Sequence, residues 1–179
     1  MKPITENIIE ESAIEILQSQ GWSYANGKDI SPEGLFCERE NFEQVLLVNR
    51  LRESIAKINP NIPVDAQEAA VQKVLRIYSP VLLHNNEEFH KMLVEKVKIS
   101  YQEDGYERSH EVALIDFENI SNNQFIVVNQ YTIIENNQNK RPDILLFVNG
   151  LPLVVMELKN ATDENADIKS AFRQIQTYK

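Results

Sequence analysis

The sequence predicts an α/β fold in which a mixed, largely antiparallel central sheet is flanked by helices on both faces. Three observations carry this expectation. Between residues 97 and 156 the chain passes through short runs rich in Val, Ile and aromatic residues, separated by turn residues, which is how strands read. The last two runs, ILLFV and LPLVVM, are apolar at every position, so the hairpin they form needs cover on both faces. Segments before and after this region carry apolar residues at helical spacing instead.

Residues 5–20 read as the first helix, with Ile9, Ala13, Ile16 and Leu17 on one face, Thr5 as N-cap and Gly21 as the stop. Of its acids, Glu10 is the candidate to look into a metal site; the others decorate a solvated face. Trp22 and Tyr24 form a short apolar segment against the core. Helices are expected over 40–58 and 63–78, separated by the Asn59-Pro60-Asn61 turn, and over 85–96. These make residues 38–96 a helical segment within one domain spanning 1–179. Strands are expected over 97–102, 111–117 and 124–134. The final helix covers 162–179, capped by Thr162 or Asp163, with an apolar stripe of Ile168, Ala171, Phe172 and Ile175. His84, His90 and His110 lack the spacing of metal ligands.

The chemistry concentrates in RPDILLFVNGLPLVVMELK, residues 141–159. Asp143 follows Pro142 at the mouth of the first apolar run, and the second run delivers Glu157 and Lys159. Side chains alternate along a strand, so Glu157 and Lys159 share a face. Asn149-Gly150 is a strong hairpin turn. A hard cation such as Mg2+ needs one or two carboxylates plus waters and substrate phosphate. Asp143 and Glu157 are the expected ligands, with the Leu158 backbone carbonyl adding a neutral one. Lys159 is expected to position the attacking water, help deprotonate it, or steady the charge of the transition state. One geometric condition follows. A regular two-residue hairpin pairs Asp143 with Met156, which sends Asp143 and Glu157 to opposite faces. An irregular hairpin is therefore expected, with Pro152, which cannot donate a ladder hydrogen bond, as its source. Gln174 and Tyr178, four apart on the last helix, share one face and are expected to border the metal.

At 179 residues the chain buries roughly 70% of its unfolded surface. It has an ordinary globular composition, and its single cysteine excludes an intrachain disulfide framework. No apolar run reaches the ~18 residues of a membrane span, and there is no signal pattern, so the cytoplasm is expected and a membrane is not. The net charge of -9 is unusual for a nucleic-acid enzyme. Lys140, Arg141, Lys159, Lys169, Arg173 and Lys179 stand against Asp143, Glu157, Asp163, Glu164 and Asp167, leaving the last forty residues near +1 and the remainder near -10. Weak DNA affinity is expected of the chain alone. Tyr178 is followed by one residue with no cap or breaker, as expected of a piece of a longer protein.

Taken together, RPDILLF, NGLPLVVMELKN and QIQTY, preceded by IDFENISNNQFIVVNQYTI, resemble the N-terminal endonuclease domain of the R subunit of type I restriction–modification enzymes, within the PD-(D/E)xK nuclease superfamily. The resemblance covers essentially the whole chain and implies a restriction-endonuclease-like fold. It puts Asp143, Glu157 and Lys159 at the metal- and water-handling positions, Gln174 and Tyr178 at the QxxxY motif, and Glu10 at an acidic position of the first helix. It implies Mg2+-dependent cleavage of double-stranded DNA and assembly with modification and specificity subunits. It also implies an ATP-driven motor elsewhere in the subunit; the 179 residues contain no GxxxxGK[ST] phosphate loop, so ATP belongs to that motor only. Two alternatives stay open: another nuclease of the superfamily, acting in repair or junction resolution, or a non-catalytic docking module of a restriction complex.

Overall fold

A computed structural model describes residues 5–77, 79–103, 106–159 and 168–177. The chain is mixed α/β and divides into two compact units, one formed by residues 1–47 and 125–179, the other by residues 48–124. No helix among the described residues is long and apolar enough to cross a membrane.

The first unit is built on a four-stranded sheet of β1 (Ser23–Asn26), β4 (Phe125–Asn129), β7 (Ile144–Val148) and β8 (Leu151–Met156), hydrogen-bonded in that order. β1 runs parallel to β4, while β4, β7 and β8 are antiparallel. The sheet is therefore mixed and largely antiparallel, as expected. Its alternating side chains feed two cores. Val127, Ile144 and Leu146 pack with Ile14 of α1 (Glu6–Ser19), joined by Leu17, Trp22 and Met156. On the other face Ile126, Val128, Leu145 and Phe147 pack with Ile30, Leu47 and Tyr131. The segment between β1 and α2 (Val48–Ile58) thus contributes to this second core. Within it, the buried Arg39 guanidinium lies over the Tyr131 ring at 3.9 Å and donates to the Thr132 carbonyl at 2.9 Å. Burial lowers the Arg39 pKa and raises that of the Tyr131 phenol.

The second unit holds α2, α3 (Val64–Leu75) and α4 (Leu82–Glu95), followed by a two-stranded antiparallel hairpin of β2 (Val97–Glu103) and β3 (Tyr106–Val112). Asn59 joins its parts: its side-chain amide donates to the Ala113 carbonyl and its oxygen accepts from the Ala113 N–H.

Local chemistry moves several elements from their expected places. Residues 40–47 are not helical, because the Asn41 side chain accepts from the N–H groups of Glu43 and Gln44 and the Leu47 N–H donates to the Gly150 carbonyl. The expected strand over 111–117 stops at Val112; the Asp116 carboxylate instead accepts from the N–H groups of Glu118 and Asn119 in a turn. The run 124–134 breaks after Asn129, where Gln130 takes φ +55°, and resumes as β5 (Ile133–Glu135), paired with β6 (Gln138–Lys140). Trp22 and Tyr24 flank and join a strand, β1. Thr5 occupies the N-cap position of α1 without a side-chain capping bond, and Gly21 ends the helix at φ +95°.

Candidate active site

The hairpin β7–β8 sets the geometry. Asn149 and Gly150 both take positive φ, 54° and 80°, as a two-residue type I′ turn requires, and Val148 pairs with Leu151. Phe147 pairs with Pro152, but Leu146 pairs with Val154, so Leu153 is an extra residue with no partner. The irregularity lies immediately after Pro152, whose missing N–H cannot hold the ladder there. Its consequence is a change of parity. Ile144 faces Met156, and the next residues out are Asp143 and Glu157. Directly opposed residues of an antiparallel pair point to one side, so both carboxylates leave the sheet together.

Hydrogen bonds tie the group. The Leu158 N–H donates to Asp143 Oδ2 at 2.7 Å, fixing that carboxylate to the chain that carries Glu157. Lys159 Nζ donates to Glu157 Oε1 at 3.0 Å and to Gln174 Oε1 at 3.0 Å. The Glu157 side chain is only 1% exposed and that of Lys159 25%. A carboxylate so deeply buried needs a compensating cation, and Lys159 supplies one. Burial works against the charge of Lys159, yet the hydrogen bond and charge of Glu157, together with Glu6 and Asp143, outweigh it and hold the ammonium above the ordinary lysine range. Lys159 therefore stands in this arrangement as a cation, able to stabilise negative charge.

The end of β4 lies beside the same site, since Asn129 pairs with Ile144. Here the structure places Glu10. Its carboxylate accepts from Asn129 Nδ2 at 2.6 Å and from Gln130 Nε2 at 3.3 Å. Tyr24 extends the network, its hydroxyl donating to Asn129 Oδ1 at 2.9 Å. Among the described residues no three His, Cys, Asp or Glu side chains group as metal ligands, so Glu10 does not join Asp143 and Glu157 in a cluster of three. Asn129 and Gln130 are site neighbours that the sequence reading did not single out; the signal was a polar pair closing an otherwise apolar strand. Tyr178 lies outside the described residues, as do Thr162 and Asp163.

The donor set fits a hard divalent cation. Asp143 and Glu157 offer carboxylate oxygens, Leu158 a backbone carbonyl, and no histidine or cysteine competes among them.

Comparison with known proteins bears on this geometry. The family model described as type I restriction enzyme R protein N terminus matches residues 3–179. The type I restriction enzyme HindI endonuclease subunit of Haemophilus influenzae is 42% identical over 178 residues, covering 98% of this chain and 17% of that protein. The putative type I restriction enzyme MjaIXP endonuclease subunit of Methanocaldococcus jannaschii is 34% identical over 173 residues, covering 95% and 16%. The chain thus spans about a sixth of the length of these relatives.

Proposed function

The chain belongs to the family of type I restriction enzyme R protein N-termini, and from that premise we propose that it is a Mg2+-dependent endonuclease cleaving double-stranded DNA. The observation that carries the reading is the bulged hairpin, which turns Asp143 and Glu157 to one side and leaves Lys159 bonded to Glu157. When bound, Mg2+ supplies charge neutralisation at the scissile phosphate and a more acidic water.

The chain's own residues do the rest. Asp143, Glu157 and the Leu158 carbonyl would hold the cation. The Leu158 N–H holds the Asp143 carboxylate through Oδ2, and the second oxygen would be available to the cation. The Lys159 ammonium stabilises negative charge that grows on the phosphoryl oxygens, and Gln174 aims that ammonium. Glu10 acts by anchoring Asn129 and Gln130 at the neighbouring strand end. Tyr178 is assigned to the phosphate or the attacking water. In this reading the chain works in the cytoplasm, within a complex containing modification and specificity subunits that choose the DNA sequence. ATP serves a motor elsewhere in the subunit.

The test is single alanine replacement of Asp143, Glu157 and Lys159 in the assembled enzyme. Each should reduce DNA cleavage by at least ~10²-fold, the scale of losing one preorganised charge-stabilising group, while ATP hydrolysis continues. Wild-type cleavage by any of the three would overturn the assignment.

A further inference from the structure

The α2–α4 unit contains a cleft of about 590 Å³ between the end of α3 and strand β2 that differs in charge from the acidic chain around it. Lys73, Arg76 and Lys98 line it, with Ser100 and Gln72 as neutral polar groups and Glu88 as its one acid. Elsewhere in the unit, Arg52 makes two hydrogen bonds to the Glu68 carboxylate and Lys91 pairs with Glu87 at 2.7 Å, while Lys57 Nζ donates to the Ser121 carbonyl. Lys73 Nζ donates to the backbone carbonyl of Lys98 at 3.2 Å, which orients it without neutralising it. Among the described residues, neither Arg76 nor Lys98 forms an ion pair with a carboxylate. All three are exposed. Cations in a helix's last turn also answer its dipole, which accounts for Lys73 and Arg76. Lys98 comes from a strand, β2, where it stands directly opposite Glu111 of β3.

We infer that this cleft is a contact surface for the phosphate backbone of duplex DNA, reading no sequence and adding electrostatic affinity. The inference rests on DNA being the substrate, as proposed above. Three exposed cations lining one open cleft outnumber its acid and match closely spaced phosphates, and each phosphate neutralised releases counterions. The small number of contacts suits the weak binding expected of so acidic a chain.

The test is fluorescence anisotropy of a labelled duplex of random sequence, titrated with the full-length protein at several salt concentrations. Arg76→Glu/Lys98→Glu should lower affinity about tenfold at low salt and flatten the slope of log K against log salt by about two. Glu88→Lys should raise affinity and steepen the slope by about one, a gain that misfolding cannot produce. The charge-matched control Lys57→Glu/Lys91→Glu should keep the wild-type slope. The inference fails if the cleft variants bind DNA as the wild type does, or if they lose a partner subunit while DNA affinity holds. Because Asp143→Ala is scored by cleavage and the cleft by binding, failure of one reading is distinct from failure of the other.

Discussion

Gln174 Oε1 accepts a hydrogen bond from Lys159 Nζ at 3.0 Å, linking helix α5 (Ile168–Gln176) to the residue that closes the D…ExK spacing. The ammonium is held between Glu157 and this amide oxygen, so its direction depends on a residue fifteen positions away. Gln174→Ala should leave the charge in place and release its aim. A hydrogen bond to a charged group is worth about 1.5–3 kcal/mol. If it is felt fully in the transition state, cleavage falls about 10- to 100-fold. Single-turnover cleavage checks this, and unchanged DNA affinity should separate it from a binding defect.

The bulge at Leu153 gives a prediction about parity rather than chemistry. Inserting one alanine between Met156 and Glu157 places the alanine opposite Asp143 and turns Glu157 to the other face, with every side chain of the site still present. Cleavage should drop to the level of Asp143→Ala. Deleting Leu153 instead removes the unpaired residue and leaves Ile144 opposite Met156. That variant should cleave well above the insertion variant. Equal activity in the two would separate the site from the register of this hairpin.

Much of this was legible in the sequence because it depends on local rules. Asn-Gly fixes the turn, and Pro152 marks the irregularity. Helices α3 and α4 and the β7–β8 hairpin follow for the same reason. The remainder depends on contacts between distant residues. The end of β4 at Asn129 reflects the Glu10 carboxylate 119 positions earlier and the turn at Gln130, neither of which alters the apolar run FIVV that precedes it. Residues 40–47 carry a helical apolar stripe, yet Leu47 is drawn to Gly150, over a hundred residues on. Arg39 carries a charge yet is buried over an aromatic ring, a placement set by Tyr131 and not by its neighbours in sequence.

Gly27 meets the end of β4 more closely than any side chain permits. Its N–H donates to the Asn129 carbonyl at 2.8 Å, and a Cβ there would lie 2.7 Å from the Asn129 and Gln130 carbonyl oxygens. Both are backbone atoms, which move only with the strand. Gly27→Ala should destabilise the protein by about 1–3 kcal/mol, the usual cost of overpacking. Urea unfolding should show a lower midpoint with an unchanged slope. Because the displaced residues also bind Glu10, cleavage should fall even at temperatures where the variant stays folded.

Tyr131 makes stability depend on alkaline pH. Its ring is buried, and its hydroxyl donates to the Val45 carbonyl at 2.8 Å. Burial pushes the phenol pKa well up, with the Arg39 charge only partly opposing it. A group that keeps its proton in the folded state and loses it in the unfolded state favours unfolding once pH passes its unfolded value, about 10 for tyrosine. Stability should hold up to that point and then fall by about 1.4 kcal/mol per pH unit from this residue alone. Tyr131→Phe should cost about 1 kcal/mol at neutral pH through the lost hydrogen bond and should remove this alkaline slope. Denaturant melts of both proteins across pH 8–11 measure the difference, and parallel curves would show that Tyr131 does not carry it.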